Sequence, residues 1–230
     1  MKSIKEIIQR VQSCQRNFDL DHRIPQEHQD YIIECATLMP TRYARPHYNI
    51  TVITDPEHTR FMYNEVAVDL SDEIDTEGKP LPNGQTNEIG NFVPNVDFEG
   101  KVCCYKRNGQ TNAPLLLVFG VTEEFQVGGS QPSHRRKDVM QSLMLGSAGA
   151  AMAAVELGYY TGFCRCFKED VLSKFLIEHT DCTKPDPRLL LGIGMPHPGG
   201  FSRGVSVLDG KAVYKADEMG KAPIPVHRYK

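Results

Sequence analysis

Leu115-Leu-Leu-Val-Phe-Gly-Val121 is a run of strand length with no charge and no alternation of polar residues. A strand that is apolar on both faces is stable only when each face is covered, so the segment calls for a sheet held between two other layers. Ala113-Pro114 leads into it, and Leu189-Leu-Leu-Gly-Ile-Gly-Met195, which stops at Pro196, reads as a second central strand. A chain of 230 residues, 40% hydrophobic and 24% charged, can build the core that two such strands require.

The covering layers are readable as helices. Ile4, Ile7, Ile8 and Val11 lie at helical spacing, which predicts an amphipathic helix over 3–13. Pro25-Gln26-Glu27 opens a second helix, whose apolar positions Tyr31, Ile32, Cys35, Ala36 and Leu38 keep the period until Pro40. Tyr48 to Thr54 alternates and is rich in β-branched residues, a strand signal, and Asp55-Pro56-Glu57 starts a helix expected over 56–70. Asp138 to Leu157 is a long helix, apolar nearly all round. Its small residues from Gly146 to Ala151 offer a surface on which another backbone can sit closely, as at the centre of a dimer. A further helix spans 168–178.

The region 71–112 is rich in turns, and only Val102 to Lys106 resembles a strand there; a segment of this length is a lid or a flexible insert. Residues from about 205 to 230 read as an arm. The expectation is one domain over 1–230.

Several function classes are disfavoured. With 26 basic and 29 acidic residues the net charge is −3, which gives no broad surface for a phosphate backbone and argues against nucleic acid as a partner. The first residues lack the apolar block of a signal peptide, and the stretch Met144 to Leu157 is too short to cross a bilayer, so the expectation is a cytoplasmic protein with no membrane partner. Seven cysteines, an odd number, fit reduced thiols. Cys164-Arg-Cys166, with Cys182 and His179, lacks the paired knuckles of a zinc site and reads as small hydrophobic side chains, so no metal is expected. His134-Arg-Arg-Lys137 is either a solvated connector or a contact for a phosphorylated cosubstrate. The acidic run from Asp69 to Glu77 reads as a solvated loop. Gly192-Ile-Gly194 has no third glycine and ends a strand, and no GxSxG elbow, Walker loop or HExxH occurs.

The order of elements resembles the nitroreductase family of FMN-dependent oxidoreductases from about residue 10 to residue 204. Arg16-Asn-Phe18 to Ile24-Pro25 is similar to the family's phosphate-binding segment. Leu38-Met-Pro40-Thr41-Arg42-Tyr-Ala-Arg45-Pro46-His47 resembles its Pro-Ser segment and the strand after it. Ala113-Pro114-Leu-Leu-Leu-Val, the small-residue helix into Glu156-Leu-Gly-Tyr-Tyr-Thr-Gly162-Phe163, and Leu191 to Pro196 resemble a core strand, the dimer-core helix with the flavin-edge turn, and the last core strand. Aligned on Phe18, the family's Arg-x-Ser-x-Arg falls on Gln12, Cys14 and Arg16, so one of three positions is kept. Where the family has asparagine and Gln-Pro-Trp, this chain has Arg42, Arg45 and Pro46-His47.

The resemblance implies an α+β fold of three layers, with a central mixed, mainly antiparallel sheet flanked by helices, in an intertwined homodimer carrying FMN at two interface clefts. It implies that Arg16, Ser202 and Arg203 hold the phosphate, with Arg42 and Arg45 as further forked donors. Pro40, Thr41 and Arg42 approach the flavin from the partner chain, backbone N–H groups at Gly162 and Phe163 face flavin N5, and Gln141 offers an amide contact. No side-chain catalytic set is implied. NADH or NADPH is the donor in a ping-pong cycle, and a nitroaromatic, quinone or activated alkene the acceptor, with the 71–112 insert and its Phe92, Phe98 and Tyr105 over the cleft. The same scaffold also supports reductive dehalogenation, flavin fragmentation, and a non-catalytic flavin-binding dimer.

Overall fold

In the computed structural model, residues 2–11, 15, 18–68, 93–96, 102–105, 109–122, 132–196, 204–208 and 211–215 are described. Ser3 starts the first helix. Its N–H donates to Glu6 Oε2 at 2.6 Å and the Glu6 N–H donates to Ser3 Oγ at 3.3 Å, a reciprocal cap on α1, Ile4–Val11. Only Ile7 of the apolar stripe is buried, while Ile4 and Ile8 are exposed. Pro25 precedes α2, Gln26–Thr37, which buries Ile32 and Ala36.

The Tyr48 hydroxyl donates to Ala36 O at 2.6 Å, tying α2 to β1, Tyr48–Ile53, and burial pushes the Tyr48 phenol up. Asp55 caps α3, Pro56–Phe61, by accepting from the N–H groups of Glu57 and His58. The helix expected over 56–70 is shorter. At Phe61 the winding loosens into a π turn, Met62–Val66, which turns Met62, Tyr63 and Val66 into the core, and Ala67 then bridges Phe167.

The backbone N–H bonds from Glu57 and His58 hold the Asp55 carboxyl below the ordinary aspartate value. A lowered native pKa stabilises above the unfolded value of about 4 and loses that contribution as pH falls through the native value. Asp55→Ala is therefore expected to lower the thermal midpoint at neutral pH, with the deficit shrinking as pH approaches about 3. Thermal unfolding at several pH values checks this, and a deficit that does not depend on pH refutes it.

The remaining strands are β2, Val93–Val96; β3, Val102–Tyr105; β4, Leu115–Val121; β5, Tyr160–Cys164; β6, Pro187–Gly194; β7, Gly204–Leu208; and β8, Lys211–Lys215. The long helix is α4, Pro132–Glu156, and α5 is Glu169–His179. The main sheet has the order β1-β4-β6-β5, and every neighbour runs antiparallel. The mixed sheet expected from the resemblance is thus corrected for the described residues. The strands that follow β6, β7 and β8, pair with each other instead of adding a parallel member. In the insert, β3 matches the expected strand and pairs with β2, which was not expected. Strand β5 lies where the resemblance implies the flavin-edge turn.

The apolar runs behave as their composition demands. Leu115, Leu117 and Phe119 face one core with Leu189, Leu191 and Ile193, beneath α2 and α4. Leu116, Val118 and Leu190 face a second core with Ile53, Met62, Val66, Leu172, Phe175 and Leu176, beneath the π turn and α5. This gives the three layers, and β4 is buried at every position. Helix α4 begins at Pro132, six residues earlier than expected, so His134 to Lys137 are helical and not a connector. Its small residues are used within the chain: a Cβ on Gly149 would lie 2.6 Å from Met39 Cγ and 2.9 Å from Cys35 O, and one on Gly146 would overlap the Tyr48 ring.

Candidate functional site

The loop between α2 and β1 is built around a tight turn at Arg42–Ala44, and Ala44 sits at φ 52, in the left-handed region that alanine rarely adopts. Two contacts to α4 hold this turn. Arg42 forms an ion pair with Asp138, and the buried His47 places Nδ1 3.0 Å from Ser142 Oγ. The Ser142 hydroxyl donates its one proton to Asp138 O at 2.9 Å, so the network assigns the Nδ1 proton to His47, which donates to Ser142. Pro40, Arg42 and Arg45 are exposed and Thr41 is half-buried. Gln141 lies one turn beyond Asp138 on the same helix face, beside a shallow recess of about 520 Å³ lined by Met140, Gln141, Met144 and Leu145. Pro40, Thr41, Arg42, Arg45 and Gln141 thus gather at the β1 edge, near the start of α4.

A second group forms at the other edge. The Gln15 N–H donates to Thr161 O at 2.9 Å, the Asp19 N–H donates to Met195 O at 2.8 Å, and Phe18 bridges Pro196. Gln110, in the short turn Gly109–Thr111, donates from Nε2 to Phe163 O at 3.2 Å. The carbonyls of Thr161 and Phe163 therefore face away from β6. Antiparallel alternation then commits the backbone of Gly162 to the ladder opposite Gly192 and turns the Phe163 N–H toward the sheet edge. Beside this edge the side-chain oxygens of Asn112 and Thr161 are buried with no hydrogen-bond partner among the described residues, which leaves polar capacity in reserve. Arg16 lies between Gln15 and Phe18, and Ser202 and Arg203 follow β6; all three are outside the described residues, as are Gln12 and Cys14.

Helix α1 locks this second group to the end of α4. Lys2 Nζ donates to Val155 O at 2.7 Å, Arg10 donates to Gly158 O at 3.5 Å, and the Arg10 guanidinium lies 3.9 Å from the centre of the Tyr160 ring. The two groups sit on opposite edges of a four-stranded sheet, about 14 Å apart across the strands. Within one chain they are separate.

Sequence reasoning singled out the arginines but missed the residues that aim them. Asp138 and Ser142 carry no motif, His47 stands out only against the family's Gln-Pro-Trp, and the pairings span nearly a hundred positions.

Solved structures that share this α+β topology include nitroreductase family proteins and an enone reductase. A nitroreductase family protein from Clostridium novyi NT superposes with a TM-score of 0.54 at 15% identity, covering 85% of this chain and 87% of that one. A protein from Exiguobacterium sibiricum, assigned as a nitroreductase and solved with FMN, gives 0.58 at 14% identity over 87% and 91%. An enone reductase of gut-bacterial fatty acid saturation gives 0.56 at 10% identity over 87% and 92%. No curated protein sequence matches significantly. The profile described as Nitroreductase family matches residues 8–195, and the chain belongs to the nitroreductase family. Among the described residues no helix is long and apolar enough to cross a membrane.

Proposed function

We propose that the protein is an FMN-dependent NAD(P)H oxidoreductase that works as a homodimer and reduces an electron-poor acceptor: a nitroaromatic, a quinone or an activated alkene. The observation that carries the arrangement is the separation of the two site groups on opposite sheet edges. In a two-fold dimer the β1-edge loop of one chain meets the β5 edge of the other, and neither chain alone completes a site. The exposed Leu38, Met144 and Leu145 supply apolar surface for that contact.

The residues fit FMN. Guanidinium forks at Arg42 and Arg45 suit an anionic ligand, the Phe163 N–H at the β5 edge suits a heteroaromatic nitrogen, and the buried oxygens of Asn112 and Thr161 suit a ligand rich in hydroxyl and imide donors. When bound, the flavin supplies two-electron chemistry, taking hydride from a nicotinamide and passing it to the acceptor. Arg16, Ser202 and Arg203 hold the phosphate. Pro40, Thr41 and Arg42 enter from the partner chain, held in place by Asp138 and the His47–Ser142 pair. Gln141 offers its amide to the polar part of the ligand. The Phe163 N–H, and not that of Gly162, is the backbone donor.

The purified protein is expected to show a flavin band near about 450 nm that bleaches on anaerobic addition of NADH or NADPH. A flavin that binds but stays oxidised with both donors overturns the NAD(P)H reading. A protein that cannot be reconstituted with FMN overturns the cofactor assignment.

A further inference from the structure

On the face of the sheet opposite α4, two histidines from distant parts of the chain meet. His58 lies in α3 and His179 is the last residue of α5, yet their ring centres are 4.7 Å apart with the planes tilted by 51°. Both rings rest on the buried Phe175, at 5.1 Å and 4.4 Å, and Phe175 is itself stacked on Phe61 at 5.1 Å. The first turn of α3 is fixed by the Asp55 cap on the His58 N–H. The two imidazoles are therefore held by packed neighbours. His58 is half-buried and His179 exposed, so the pair opens to solvent on one side.

We propose that His58 and His179 chelate one divalent transition-metal ion of the zinc or nickel class. Two imidazole nitrogens, each about 2.0–2.1 Å from one ion at an angle between 90° and tetrahedral, place their ring centres about 4.5–5.2 Å apart. The observed spacing falls inside that range. An aromatic contact alone would serve equally with phenylalanine at either position; two imidazoles add nitrogen donors from two helices. Imidazole selects zinc, nickel and cobalt over magnesium and calcium, which prefer oxygen. Among the described residues no third histidine, cysteine or carboxylate joins the pair, so water completes the coordination sphere.

Such an ion would clamp the C-terminus of α5 to α3. It would stabilise the second core by mass action without touching the proposed flavin residues, all of which lie on other elements.

Equilibrium dialysis of the untagged full-length protein against about 50 μM Ni²⁺, after removal of bound metals with EDTA, tests the proposal. One ion per chain is expected. His179→Asn and His58→Asn are each expected to weaken binding at least about tenfold, because one imidazole alone does not chelate. His179→Asn changes an exposed residue at a helix end, so it keeps the test interpretable if His58→Asn does not fold. A parent protein that retains no Ni²⁺, or a His179→Asn variant that retains as much as the parent, overturns the proposal. Mg²⁺ in place of Ni²⁺ is expected to show no binding at the pair.

Discussion

Gly192→Ala is expected to destabilise the protein by about 3 kcal/mol or more, the range of severe overpacking in a core that cannot relax. Gly162 and Gly192 face each other across β5 and β6, and each is pressed by a backbone carbonyl. A Cβ on Gly192 would overlap Gln110 O and lie 3.2 Å from Ala113 Cβ, and one on Gly162 would overlap Gln15 O and lie 2.8 Å from Gln110 Cγ. Neither carbonyl can retreat cheaply. Gln15 is bonded to Thr161 through its own N–H, and Gln110 sits in a tight turn with its side chain on Phe163 O.

Gly158 provides the contrast. Its φ of +102° disfavours a side chain but nothing lies within 4 Å, so Gly158→Ala is expected to cost only about 1–2 kcal/mol of backbone strain. Urea unfolding of the three alanine variants separates these cases, and a Gly192→Ala protein within about 1 kcal/mol of the parent would show that the contact is not tight. Gly162→Ala has a second consequence. It displaces Gln15, next in the chain to Arg16, so flavin retention should fall along with stability.

What could be read from the sequence, and what could not, follows from where each signal resides. Strands β4 and β6 were legible because burial on both faces leaves an uninterrupted apolar run, and α2 because proline marks both of its limits. Strand β5 was not, since Thr-Gly-Phe-Cys has no alternation to show. It is a strand because it pairs with β6 from Tyr160–Gly194 to Cys164–Leu190, a tertiary fact. Strand β2 carries Pro94, which reads as a break but is tolerated in a two-stranded ribbon. The early start of α4 was hidden by a basic segment that looks like solvated loop. The arginines of the site were visible as residue types. Their geometry was not, because Arg42–Asp138 and His47–Ser142 depend on how α4 lies against the β1 edge.

That geometry leads to a result that only a shared site can give. Arg16→Ala and Arg42→Ala are each expected to weaken FMN binding about 10- to 100-fold, the loss from removing one charge-assisted contact. Each variant alone then purifies nearly free of flavin. If Arg16 serves a site in its own chain while Arg42 serves the partner's, a mixed dimer contains one doubly damaged site and one intact site. Random reassociation of equal amounts makes about half of the dimers mixed, so about a quarter of all sites should recover full affinity and bleach with the nicotinamide donor. The recovered fraction is read from the flavin absorbance after co-refolding. In a site built within one chain, every site in the mixture keeps one damaged arginine, and no recovery is possible at any mixing ratio. The separation of the β1-edge and β5-edge groups across the sheet makes the first outcome the expected one, and a mixture no better than its components would refute the two-chain site while leaving the fold untouched.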